Sequence, residues 1–174
     1  MLPSRKMGYG LPGEPGKPMR RNGVGNSEEV GSVGNYQAGS DFEAIARAFF
    51  LAQGIVLKEH LALEIGIEGK KKRHKFDLGS TDPKIIVECK SHTWTGADNM
   101  PSAKMAAWIE AMYYFYAAPK DYRKIFFVRR SYSTKRRETL VAYYLRTYEH
   151  LTPGDVEFWE YNSETKTAER VKRK

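Results

Sequence analysis

A single cysteine, Cys89, stands among the 174 residues. No intramolecular disulfide can form, which excludes a small fold held by covalent staples. Basic N-terminal residues are followed by no apolar core, so a secretion signal is not expected, and the predicted setting is cytoplasmic, intracellular and reducing. Long hydrophobic runs are missing as well. The most apolar stretch, Met105 to Ala118, is broken by Glu110 and falls short of the ~20 residues needed to cross a bilayer, so no membrane partner is expected. Acidic residues are in deficit: 21 Asp and Glu against 29 Lys and Arg leave a net charge of +8. Such an excess favours a polyanionic partner, because basic surfaces release counterions from nucleic acid. Solubility alone is the plainer reading of the same number.

Glycine and proline are sparse after residue 39, because nine of the 15 glycines and four of the eight prolines precede residue 40. With no apolar periodicity there, residues 1–39 read as an arm or linker, with Lys6, Lys17, Arg20 and Arg21 suited to phosphate contact. Residues 40–165 carry the patterning of one domain, and 166–174 read as a loose basic tail. Phe42, Ile45, Ala46, Phe49 and Phe50 make one helical face, with Ser40 as the expected N-cap and Gly54 as the stop. Strands are predicted near Leu57–Ile67, Lys71–Gly79 and Lys84–Lys90, with Ser80 to Pro83 as a turn. A helix opened by Pro101, a strand at Ile125–Arg129, a helix over Thr134–Leu151 and a strand at Val156–Tyr161 follow. The order α-β-β-β-α-β predicts an α/β fold with a mixed central sheet flanked by helices.

Chemistry concentrates between Asp77 and Lys90. Alternation puts Ile86, Glu88 and Lys90 on one face of a strand, and Lys71, Arg73, Lys75 and Asp77 on one face of its neighbour. If Ser80 to Pro83 form the turn, Gly79 pairs with Lys84, and Lys75 lies opposite Glu88. Asp77 and Glu88 then become diagonal neighbours about 7–8 Å apart at the backbone. A slip of one residue would turn Asp77 away. Two carboxylates suit Mg²⁺, which takes hard oxygen ligands and keeps several waters; the main-chain carbonyl of Cys89 is a further expected ligand. Lys90 supplies a compact cation beside them.

These residues resemble the PD-(D/E)XK nuclease superfamily, which has a restriction-endonuclease-like αβββαβ core. The likeness rests on Phe76-Asp77, on Ile85-Ile-Val-Glu88-Cys-Lys90, and on Phe42-Glu43-x-x-Ala46 with Gly54 beyond it. It covers roughly residues 40 to 130, and Phe76 stands where the family has its leading proline. The resemblance implies that Asp77, Glu88 and Lys90 form the metal and water site, with Mg²⁺ as cofactor and Mn²⁺ as a substitute. It also implies that Glu43 completes that site; Ser40-x-x-Glu43 has a competing reading as a capping box.

Further candidates surround this set. Lys71, Arg73 and Lys75 would line the catalytic face and contact phosphates without reading sequence. His92 follows the site directly. Ser102 and Lys104 open a helix whose free N–H groups attract phosphate, and Arg129 and Arg130 follow a strand. Trp108, Tyr113, Tyr114, Phe115 and Tyr116 suggest either a stacking platform or core. The expected function is Mg²⁺-dependent endonucleolytic hydrolysis of DNA, with RNA as another substrate and a homodimer where both strands are cut. The alternatives are a catalytically silent nucleic-acid-binding module on the same fold, and a basic protein that meets an acidic one.

Overall fold

Ile85, Ile86 and Val87 are apolar on both sides of the chain, so the strand they form needs cover on two faces. The computed structural model describes residues 27–173 and supplies that cover with helices on both faces of a six-stranded sheet. Helix α1 (Ser27–Leu51) leads into β1 (Lys58–Ile65), β2 (Lys72–Thr81) and β3 (Lys84–Lys90). Helix α2 (Ser102–Ala117) and β4 (Arg123–Arg129) follow. A short hairpin, β5 (Tyr132–Ser133) and β6 (Glu138–Thr139), precedes α3 (Leu140–Tyr148), β7 (Val156–Asn162) and β8 (Thr167–Arg170). The main sheet runs β1-β2-β3-β4-β7-β8. Pairings are parallel for β3–β4 and β4–β7 and antiparallel elsewhere, which makes an α/β protein with a mixed sheet. Among the described residues no helix is long and apolar enough to cross a membrane.

Strand alternation sorts the core into two layers. Ile85, Val87, Cys89, Ile125 and Phe127 point to α1, where Phe42, Ala46 and Phe50 are buried. Ile86, Phe126 and Val128 point the other way, under Trp108, Met112 and Phe115 of α2 and Val141 and Tyr144 of α3.

The structure differs from the sequence reading at four places. Helix α1 begins at Ser27, so Ser40 is interior and is not an N-cap. The glycines of 27–39 suggested a linker; each costs a helix roughly 1 kcal/mol, and the α1 register runs through them nonetheless. The part of the expected arm before residue 27 lies outside the described residues. The expected helix over Thr134–Leu151 is shorter, because Thr134 to Arg137 form the turn of the β5–β6 hairpin, with Arg137 at φ 58°. Thr139 then caps α3, its side-chain oxygen accepting the Ala142 N–H at 3.2 Å. The expected loose tail is tied down: β8 pairs with β7, and Arg173 donates to Glu149 at 2.7 Å.

The β2–β3 turn is also tighter than predicted. Asp82 and Pro83 alone link Thr81 to Lys84, so the pairs are Thr81–Lys84, Ser80–Ile85, Gly79–Ile86 and Leu78–Val87. Ser80 Oγ accepts the Asp82 N–H and donates to the Asp82 carbonyl, which draws the turn in. The register therefore moves by two residues, and a two-residue shift leaves every side chain on its expected face.

Candidate active site

The β2–β3 ladder stops at Leu78 and Val87. Extended by one pair, it would set Asp77 opposite Glu88, but there the two strands part. Phe76 belongs to the core layer under α2, whereas Leu78 belongs to the layer under α1. Residues two apart in a regular strand share a face, so β2 turns over at Asp77. β1 breaks at the same level: His60, the residue that would pair with Asp77, drops out of the ladder and takes φ 54°. The outer half of the β1–β2 hairpin is thereby bent, and a notch opens between β2 and β3.

Asp77, Glu88 and Lys90 meet at that notch. The Asp77 carboxylate accepts the Cys89 N–H at 2.7 Å, taking the place of the missing rung. Lys90 Nζ lies 3.0 Å from Glu88 Oε2 and 4.0 Å from Asp77 Oδ2. Because a residue's N–H and C=O leave an extended strand on the same edge, the Cys89 carbonyl is directed into the notch beside Asp77. The Cys89 thiol, by contrast, is buried toward α1.

Burial and the Glu88 charge push the Asp77 carboxyl up to about 7. Burial also acts to raise Glu88, but its contacts with His74 and Lys90 hold it below the usual range. Lys90 is raised, since its two carboxylate partners outweigh its desolvation. Two acids and one ammonium leave a net negative site in a poorly solvated notch, an arrangement that favours a bound cation.

Glu43 projects from α1 toward the same place. Burial raises its carboxyl, with His60, Lys90 and Glu88 close enough to contribute. Since α1 continues thirteen residues N-terminal of Ser40, the capping-box reading of Glu43 does not hold.

The basic run is placed differently from expectation. Turnover at Asp77 gives the position beside Glu88 to His74 instead of Lys75. His74 Nε2 lies 3.5 Å from Glu88 Oε1, without hydrogen-bond alignment, and its ring stacks on Tyr114 at 3.9 Å. Lys71, Arg73 and Lys75 are exposed and alternate with His74 and Phe76, so they do not line the face of Glu88 and Lys90; Arg73 borders a cleft on the α2 side. No periodicity in the sequence distinguished His74 or His60, because both depend on the bend.

On the far side of Lys90 a cleft of about 460 Å³ is lined by His92 and Lys104, among others. His92 Nδ1 accepts the Trp108 Nε1–H at 2.9 Å, and burial, with Lys104 and Lys90 nearby, lowers it to about 4. It is therefore a neutral group at pH 7. Ser102 is exposed at the start of α2. Arg129 turns to the α1 layer, its guanidinium 5.5 Å from the Phe42 ring, and Arg130 opens into a separate cleft with Glu160 and Glu169. Neither reaches the notch with Lys90. Trp108 and Phe115 are core, while Tyr113 and Tyr116 are each 53% exposed.

Among the described residues no group of three or more His, Cys, Asp or Glu side chains is placed to hold a metal ion. The donors at the notch are two carboxylates and a main-chain carbonyl. That set lacks the cysteine and histidine ligands of a closed structural zinc site. It suits Mg²⁺, which completes its shell with water and substrate phosphate. No protein-family model, curated protein or solved structure matches this chain.

Proposed function

We propose that this protein is a Mg²⁺-dependent endonuclease that hydrolyses phosphodiester bonds, with DNA as its substrate. One observation carries the reading: Lys90 bridges Glu88 and Asp77 at the point where β2 and β3 diverge. The element order from α1 to β4, with β3 and β4 parallel beside an antiparallel hairpin, supports a restriction-endonuclease-like core.

Asp77, Glu88 and the Cys89 carbonyl would hold the ion. When bound, Mg²⁺ polarises a phosphoryl oxygen and acidifies a water. In hydrolysis the water oxygen bonds to phosphorus, the bond to the leaving oxygen breaks, and that oxygen takes up a proton. Lys90 is held as a cation by its ion pairs, so it orients the attacking water and stabilises the extra negative charge on the phosphorane. Glu43 stands on the α1 side to accept a hydrogen bond from the same water. His74 lies 3.5 Å behind the Glu88 carboxylate.

The test is nicking of supercoiled plasmid in Mg²⁺ or EDTA. Wild type should nick only with the divalent ion, and Asp77→Ala and Lys90→Ala should each lower the rate by at least about 100-fold, the usual size for removing a transition-state charge partner. A thermal shift on adding Mg²⁺, present in wild type and absent in Asp77→Ala, reads ion binding without turnover. Tight DNA binding with no cleavage in Mg²⁺ or Mn²⁺ would instead make the protein a silent binding module.

A further inference from the structure

The bent hairpin and α2 enclose a cleft of about 580 Å³, within the size range of ligand sites. Its walls are tied together at one end, where the Gly66 N–H donates to the Ala117 carbonyl at 3.2 Å. One wall presents the Tyr113 ring, 53% exposed, whereas Phe115 on the same helix is buried. The floor is His74, stacked flat on Tyr114 with 25° between the rings. Lys70, Lys72 and Arg73 stand on the rim, none of them in an ion pair among the described residues, against the one carboxylate of Glu68.

We propose that this cleft stacks an unpaired nucleobase of the strand cut at the notch, so that the substrate is single-stranded or frayed nucleic acid and not closed duplex. The inference rests on the nuclease reading and adds the substrate's form. The Tyr113 ring, exposed on one wall, stacks on a base only through the base's ring face. In a closed duplex that face is covered by the next base pair, whereas a splayed strand exposes it. The rim cations then meet the flanking phosphates without reading sequence. His74 joins the two places: the ring on the cleft floor is the one that touches Glu88. A base seated there has its backbone beside the catalytic carboxylates.

The full chain is titrated in EDTA with oligonucleotides carrying 2-aminopurine, single-stranded or annealed as blunt duplex. Wild type should quench the probe in the single strand and bind it at least tenfold more tightly than the duplex. Tyr113→Ala should abolish the quench and weaken single-strand binding by about tenfold, the size expected of one stacked base, with duplex binding unchanged. Tyr113→Phe should restore both. Because Tyr113 is exposed, circular dichroism of these variants should match wild type.

Equal affinity for both forms, or a Tyr113→Ala variant identical to wild type, overturns the proposal. So does self-association through this face without a quench. Cleavage in Mg²⁺, assayed on the single-stranded oligonucleotide as well as on plasmid, separates the two readings. Metal-dependent cleavage without the quench sinks this inference alone, whereas the quench without cleavage of either substrate sinks the nuclease reading alone.

Discussion

His92 shows how one side chain near the notch sets an acid limit on the fold. Its Nδ1 accepts a hydrogen bond from Trp108, whose indole is fully buried between α2 and the sheet. Burial and the charges of Lys104 and Lys90 lower it to about 4, against about 6.5 in an unfolded chain. The folded protein therefore binds fewer protons than the unfolded one between these values, and stability falls as pH falls through that window. The contribution is complete above pH 6.5 and lost by about pH 4. Because the ring is partly exposed, a discounted size is about 1–2 kcal/mol. His92→Gln keeps an acceptor for the indole and cannot titrate. Urea midpoints at pH 7.5 and 4.5 should thus fall less in His92→Gln than in wild type. Equal losses would show that the imidazole does not report the acid transition.

At the scale of elements, the grouping of Asp77, Glu88 and Lys90 depends on a bend that strand patterning does not reveal. The sequence was enough to place Asp77, Glu88 and Lys90 together, because a two-residue error in the turn preserves parity and therefore faces. It was not enough to find His74, since alternation through Asp77 assigned that position to Lys75. The alternation fails where β2 leaves β3, and the cause is tertiary. Phe76 is drawn under α2 to stack on Phe115, while Leu78 stays under α1. The first half of α1 is not legible in the sequence, because glycines recur before Ser40 with no apolar periodicity beside them. Gly66 tests whether the bend and the cleft are one device. A Cβ added there would lie 1.8 Å from the Lys70 backbone carbonyl, which no rotamer change relieves. Gly66→Ala should therefore cost about 1–3 kcal/mol and release the Gly66–Ala117 hydrogen bond. Hydrogen exchange should quicken at the hairpin tip, and 2-aminopurine quenching should weaken, while the distant β7–β8 pair keeps its protection. Unchanged exchange at the tip would mean that the hairpin is held by other contacts.

Across the whole molecule the surplus charge of +8 matters only where cations lack acidic partners. Many of them are neutralised locally: Arg123 with Glu157, Arg146 with Glu138, Arg173 with Glu149, and the fully buried Lys124 with Asp155 at 2.7 Å. Around the site Lys70, Lys72, Arg73 and Lys104 form no ion pair among the described residues. Lys70, Lys72 and Arg73 line the cleft beside Tyr113, and Lys104 lines the cleft beyond Lys90, with Lys104 and Tyr113 about 13 Å apart along the rise of α2. A single strand that ran from one cleft to the other would meet four cations, each releasing about 0.7 of a counterion. The logarithm of the association constant should then fall with the logarithm of salt concentration at a slope near −3. Replacing Lys70, Lys72 and Arg73 with Gln should bring the slope to about −1 and leave the base preference of the Tyr113 cleft in place. Should the slope stay near −3 in the triple variant, the phosphates follow another path, and the Arg129–Arg130 end of β4 is where Gln substitutions would next be made.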